Sequence, residues 1–118
     1  MSDLGENLGP VLAVLLLVGY FGWRLFFSWR ARQRLPLLLA GGAHVIDVRS
    51  PMEFAAGHAA CSQNIPLSDI AVKAKDLDRA RCVVVCCASG ARSGQARRWL
   101  LSNGFRDVFN AGSWRNLP

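Results

Sequence analysis

Charge is scarce in this chain. Only 19% of its 118 residues are Asp, Glu, Lys or Arg, and none lies between Asn7 and Trp23. No basic residue precedes that apolar stretch and no small-x-small cleavage site follows it, which favours an uncleaved anchor over its main competitor, a signal peptide. The four cysteines (61, 82, 86 and 87) and two histidines show neither C-x-x-C nor H-x-x-x-H spacing. That excludes a zinc site, and the sequence calls for no metal and no cofactor. Adjacent Cys86 and Cys87 do not pair easily, so a disulfide framework is excluded in favour of reduced thiols. The net charge is +6. Even so, no basic stripe with interleaved aromatics and no helix-turn-helix or zinc-finger spacing occurs, which argues against nucleic acid. Lys73, Lys75, Arg79 and Arg81 read as a solvated face. There is no internal repeat and no low-complexity tract.

The apolar excess lies in the first thirty residues. After a short tail (1–7), Leu8 to Trp29 makes one helix if Arg24 snorkels. It would be roughly 33 Å long at about 1.5 Å per residue, and a bilayer core needs about 30 Å. Tyr20, Trp23 and Trp29 suit an aromatic belt, and Pro10 falls in the first turn. Arg24, Arg30, Arg32 and Arg34 follow, while residues 1–23 hold only Asp3 and Glu6. The positive-inside rule therefore predicts a single-pass anchor over residues 8–29 in the cell's inner (plasma) membrane. Its N-terminus lies outside and everything after it in the cytoplasm. Residues 30–36 read as a basic linker, and residues 37–118 as the folded domain.

Within that domain, apolar segments alternate with helical ones. Leu37 to Ala40 is a brief helix stopped by Gly41-Gly42. Val45 to Val48 is a buried strand. Pro51 to Ala56 is a helix capped by Ser50 and ended by Gly57-His58. Asn64 to Leu67 is extended, and Ser68 caps a helix through Ala74. Arg81 to Cys86 is a strand, Arg92 to Asn103 a helix closed by Gly104, and Asp107 to Phe109 a last strand. Continuous apolar strands between helices predict an α/β fold, a small parallel sheet covered on both faces. Ligands of such sheets bind at the carboxyl ends of the strands.

Cys87 lies at such an end. It is followed by Ala88, Ser89, Gly90, Ala91 and Arg92, small residues that can curl so that their N–H groups face inward. That nest and the helix start beyond it lower a thiol's pKa and favour a nucleophilic thiolate. Cys82 and Cys86 read as core residues. Counted from Cys86, however, Arg92 completes C-x-x-x-x-x-R, the spacing of cysteine phosphatases. Counted from Cys87 the loop is one residue shorter and suits sulfur better than phosphate. Cys61 reads as a small buried apolar residue, with a resolving thiol as the alternative.

Several motifs occur in order: Val45-Ile46-Asp47-Val48-Arg49-Ser50-Pro51-Met52-Glu53-Phe54, Gly57-His58, Asn64-Ile65-Pro66-Leu67, Cys87 to Ser93, Gly104-Phe105 and Ala111-Gly112-Ser113-Trp114. From about Leu37 to Trp114 the chain resembles a single-domain rhodanese, a sulfurtransferase family with a membrane-anchored subgroup. The resemblance implies that Cys87 takes a sulfane sulfur from thiosulfate or a persulfide, holds it as a persulfide, and passes it to a thiol or another acceptor. Residues 88–92 would cradle that persulfide, with Arg92 on a substrate oxyanion or anchoring the loop. Asp47, Arg49, Glu53, His58 and Ser93 take supporting roles, with His58 also a general-base candidate. Two departures are visible. Ala111 replaces the first glycine of the usual C-terminal pair, which predicts a tightened or shifted turn. Positions 88 and 91 lack the basic or aromatic residues of many members, which favours a persulfide over thiosulfate as donor. The rival from another class is a membrane-tethered binding or scaffold module on the same fold.

Overall fold

The computed structural model describes residues 3–118. They divide into two units, one ending at Gln33 and one running Arg34–Pro118. Helix α1, Asp3–Ala40, supplies the described residues of the first unit and the opening turns of the second. Its span from Gly5 is long and apolar enough to cross a membrane. The helix begins earlier than the pattern predicts, so Pro10 lies inside it rather than in its first turn. It also runs through the basic stretch 30–36. Leu35 gives a physical reason, since it is 4% exposed and packs in the core of the second unit. Gly41 and Gly42 end the helix, with the Gly41 N–H donating to the Leu37 carbonyl at 3.0 Å.

The second unit is a four-stranded parallel sheet, as predicted. Its strands are β1 (His44–Asp47), β2 (Ser62–Asn64), β3 (Val83–Cys87) and β4 (Val108–Ser113), in spatial order β2-β1-β3-β4. The central strand β3 is buried at every residue, as expected for Val-Val-Val-Cys-Cys with cover on both faces. Side chains alternate across it. Val83, Val85 and Cys87 pack on one face with Ala96 and Leu100. Val84 and Cys86 pack on the other with Leu35, Ala111 and Leu117.

Helix α2 (Pro51–Ala56) begins as predicted, with Ser50 and Glu53 closing a reciprocal capping box. The predicted Ser68 cap is absent. Residues 67–76 instead form a 3-10 turn, a short helix α3 (Ile70–Lys73) and a second 3-10 turn. No capping hydrogen bond from the Asp69 side chain starts α3, and its anchors are the buried Ile70 and Ala74. Helix α4 (Ala91–Ser102) buries Ala96 and Leu100 and half-buries Trp99. It ends in a Schellman motif, with Gly104 N–H on the Leu101 carbonyl and Phe105 N–H on the Leu100 carbonyl. Strand β4 is longer than its apolar pattern, because Asn110 to Ser113 pair with Val85 to Cys87. Ala111 is the extra residue of a bulge there, buried at 3%. The positive φ of 76° falls on Gly112, and Ala111 needs none.

Candidate active site

Cys87 is the last residue of β3 and Ala91 the first of α4, so three residues make the connection. Gly90 turns the chain with φ 103°, and a Cβ there would meet the Gly112 Cα at 3.2 Å. Only glycine fits both constraints. The turn points the Gly90 N–H at the Cys87 sulfur, 2.9 Å away. The Ser93 hydroxyl, one turn into α4, lies 3.4 Å from the same sulfur. Burial pushes the Cys87 thiol up. The Ser93 hydroxyl and the N–H groups of Ser93, Gly90 and Ser89 outweigh it and hold the group below its ordinary value. The nest thus draws on Ser89, Gly90 and Ser93, with Ser93 supplying two donors. Cys87 as a residue is 1% exposed.

Cys86 has the opposite environment. It is fully buried on the far face of the sheet, and burial followed by the nearby Asp47 carboxylate pushes its thiol up to about 12. A thiol at that value is protonated at neutral pH and away from the loop, which removes the physical basis of the phosphatase count. Cys82 is only half-buried rather than a core residue. Cys61 is exposed, not the small buried residue the sequence favoured. It precedes Ser62, which the register sets level with Val45 and Val84, three residues short of Cys87. It neighbours Cys86, the residue before Cys87 in β3, electrostatically. Both Cys61 and Cys87 are free thiols.

Arg92 does not reach into the loop as a free cation. Its Nη1 and Nη2 donate to both oxygens of Glu53 at 2.6 and 2.9 Å. Oε1 of Glu53 also accepts from Ser50 N–H and Ser50 Oγ. The paired Arg92 and the Ser50 N–H hold the Glu53 carboxyl down at about 2. One carboxylate therefore caps α2 and ties it to α4. Among the supporting residues, Asp47 is fully buried and takes the Arg49 fork through Nε and Nη2, with Nη2 at 2.7 Å. Arg49 also donates to the Gly57 carbonyl and stacks 4.8 Å over Trp114. His58 bonds the Phe54 carbonyl through Nδ1 at 2.7 Å and stacks on the Phe54 ring, a local turn contact.

Two asparagines have contacts to which the sequence reading assigned no role. Asn64 donates to the Asp47 and Arg49 carbonyls, each at 3.0 Å, and fixes the end of β1. Asn110 bonds Gly90, Gly112 and Ser93 together. Asn64 ends β2 and Asn110 lies inside β4, and only the assembled sheet shows what each amide meets.

Among the described residues no cluster of three or more His, Cys, Asp or Glu could hold a metal ion. The fold and site define a class, a parallel α/β domain with a cysteine thiol among N–H and O–H donors at the carboxyl edge of its sheet. The family follows from comparison. The rhodanese-like domain model matches residues 32–116, and the chain belongs to that family. It is 33% identical over 97 residues to the thiosulfate sulfurtransferase GlpE of Pseudomonas aeruginosa, covering 77% of this chain and 86% of that protein. It is 37% identical over 68 residues to the uncharacterized protein YqhL of Bacillus subtilis, spanning about half (54%) of that protein's length and 58% of its own. Among solved structures, a rhodanese from E. coli with bound anions matches with TM-score 0.60 at 33% identity, over 65% of this chain and 95% of that one. The human single-domain sulfurtransferase TSTD1 matches with TM-score 0.62 at 32% identity, over 71% and 88%.

Proposed function

We propose that this protein is a membrane-anchored sulfurtransferase whose nucleophile is Cys87. The observation that carries the reading is the cluster of donors on the Cys87 sulfur, with Gly90 N–H at 2.9 Å and Ser93 Oγ at 3.4 Å. In the first half-reaction the Cys87 thiolate attacks the terminal sulfur of a donor. The donor's S–S bond breaks, its remaining sulfur leaves as a thiolate or sulfite with the electron pair, and Cys87 holds the persulfide. In the second, an acceptor thiolate attacks the outer sulfur, and the Cys87 thiolate leaves. Charge and electrons balance without an outside oxidant or reductant.

A persulfide is the better donor for this loop. Residues 88–91 are uncharged and Glu53 engages Arg92, so no loop side chain is free to pair with the doubly charged thiosulfate. The near-complete burial of Cys87 also suits a slim terminal sulfur better than a phosphate ester. Residues 88–92 then serve as the cradle through their backbone, and Asp47, Arg49, Glu53 and His58 brace it. For the anchor, the support is a helix apolar on all sides, with no residue buried over its most apolar stretch, and with arginines at its inner end. We assign residues 8–29 to the bilayer, with the N-terminus outside and Cys87 on the cytoplasmic side.

Intact-mass measurement after incubation with cysteine persulfide or thiosulfate tests the assignment. A gain of one sulfur is expected, faster from the persulfide, retained in Cys86→Ala and absent in Cys87→Ser. No adduct with either donor would favour the scaffold reading, and an adduct lost only in Cys86→Ala would move the nucleophile.

A further inference from the structure

The Asn110 carboxamide lies where β4, the loop and α4 meet, and its neighbours fix which way it faces. Its Nδ2 donates to the Gly90 carbonyl at 3.1 Å, and its Oδ1 accepts from the Gly112 N–H at 2.9 Å. A flipped amide would set oxygen against a carbonyl and NH2 against an N–H. Oδ1 therefore also meets the Ser93 hydroxyl as an acceptor, at 2.7 Å. The same hydroxyl is 3.4 Å from the Cys87 sulfur. Ser93 is fully buried and has one hydroxyl hydrogen, so two acceptors compete for it.

The competition depends on the state of the sulfur. A thiol donates its S–H to the Ser93 oxygen, and Ser93 passes its own hydrogen to Asn110, which forms a continuous chain. A thiolate only accepts, and an ionised acceptor binds a hydroxyl more strongly than a neutral amide does. The Ser93 hydrogen then swings to sulfur, and Asn110 keeps the Gly112 N–H. We propose that Asn110 is a positioning residue for sulfur transfer, the resting acceptor that takes the Ser93 hydrogen whenever Cys87 Sγ is uncharged and releases it whenever Sγ becomes a thiolate. This rests on Cys87 being the nucleophile. With an outer sulfur attached, Sγ is neutral and the hydrogen rests on Asn110. As the acceptor removes that sulfur, Sγ leaves as a thiolate, and the hydroxyl turns to meet it. No proton changes owner at Ser93 or Asn110.

The charged groups facing Cys87 are otherwise engaged. Arg92 of α4 is paired with Glu53 of α2, Asp47 of β1 with Arg49, and β4 carries no titratable side chain. Cys86, next in β3, remains a thiol. The hydroxyl's direction is thus the adjustable element.

The test is a double-mutant cycle on the pH dependence of Cys87 alkylation by iodoacetamide in the full chain. Asn110→Ala removes the competing acceptor and is expected to lower the midpoint by about 0.5–1 pH unit, the worth of one hydrogen bond. Ser93→Ala removes the donor and is expected to raise it. In the Ser93→Ala background the Asn110→Ala shift should vanish. Asn110→Asp, nearly isosteric, serves if Asn110→Ala lowers the Tm. Its carboxylate holds the hydrogen harder and raises the midpoint, and it should raise it less without the hydroxyl. Equal shifts with and without the Ser93 hydroxyl, or no shift at all, would overturn the inference and leave Asn110 a loop brace. Because persulfide uptake by Cys87 is read separately by mass, failure of the parent assignment shows as a missing adduct instead.

Discussion

Two adjacent cysteines, identical in chemistry, have opposite environments one residue apart. The alternation of a strand sends Cys86 into an apolar layer and Cys87 under a row of N–H and O–H donors. Glu53 shows a second residue-scale effect, because its carboxylate is shared by a helix cap and a cation on another helix. Its folded value of about 2 lies below the ordinary 4.5. The stability it contributes is therefore fully present above pH 4.5 and is lost as pH falls towards about 2. Glu53→Gln should lower the Tm at neutral pH and flatten the Tm-against-pH curve across that window. Melts of both proteins over a pH series would check this, and parallel curves would show that the clasp adds nothing to the fold.

At the scale of elements, the strand, loop and helix from Val83 to Ser102 bring the donors to the sulfur. The loop works because Gly90 adopts φ 103° against the Gly112 backbone. Gly90→Ala combines a disfavoured backbone with a 3.2 Å contact, and should cost about 1–3 kcal/mol. Denaturant midpoints would measure that cost. Sulfur uptake should slow by about tenfold or more, since the displaced N–H is a charge-assisted donor. An unchanged uptake rate would mean that this N–H does not hold the thiolate. Much of this level was legible beforehand. Ser50 at the cap with Glu53 three residues on, the Val-Val-Val run and the Gly after α4 each announce a local structure through local chemistry. The end of β4 was not legible, because Asn110 to Ser113 pair through their backbones and carry little strand preference of their own. Ser68 was misleading for the opposite reason. It has the chemistry of a cap, but packing of Ile70 and Ala74 settles how that segment turns.

For the whole molecule, one helix carries two kinds of surface. Leu8 to Trp29 expose their large apolar side chains, whereas Leu35 is buried in the sheet domain. A chain lacking residues 1–33 is expected to be released from alkali-washed membranes and to keep its Tm and its sulfur adduct. Removing residues 1–42 should in addition cost about 2–5 kcal/mol, since Leu35 leaves a hole in the core. If the shorter deletion still pelleted with membranes, residues 8–29 would not be the anchor.

The sequence by itself determined the class of fold, the apolar helix and the thiol-bearing loop. Each of those is written in residues that are neighbours along the chain, in a hydrophobic period, a run without charge, or a cysteine before small residues. Only the tertiary structure pairs Arg92 with Glu53, leaves Cys61 exposed, and sets Asn110 and the Cys87 sulfur around one Ser93 hydroxyl. Those facts depend on strands far apart in sequence lying side by side, where a few ångströms choose the partner.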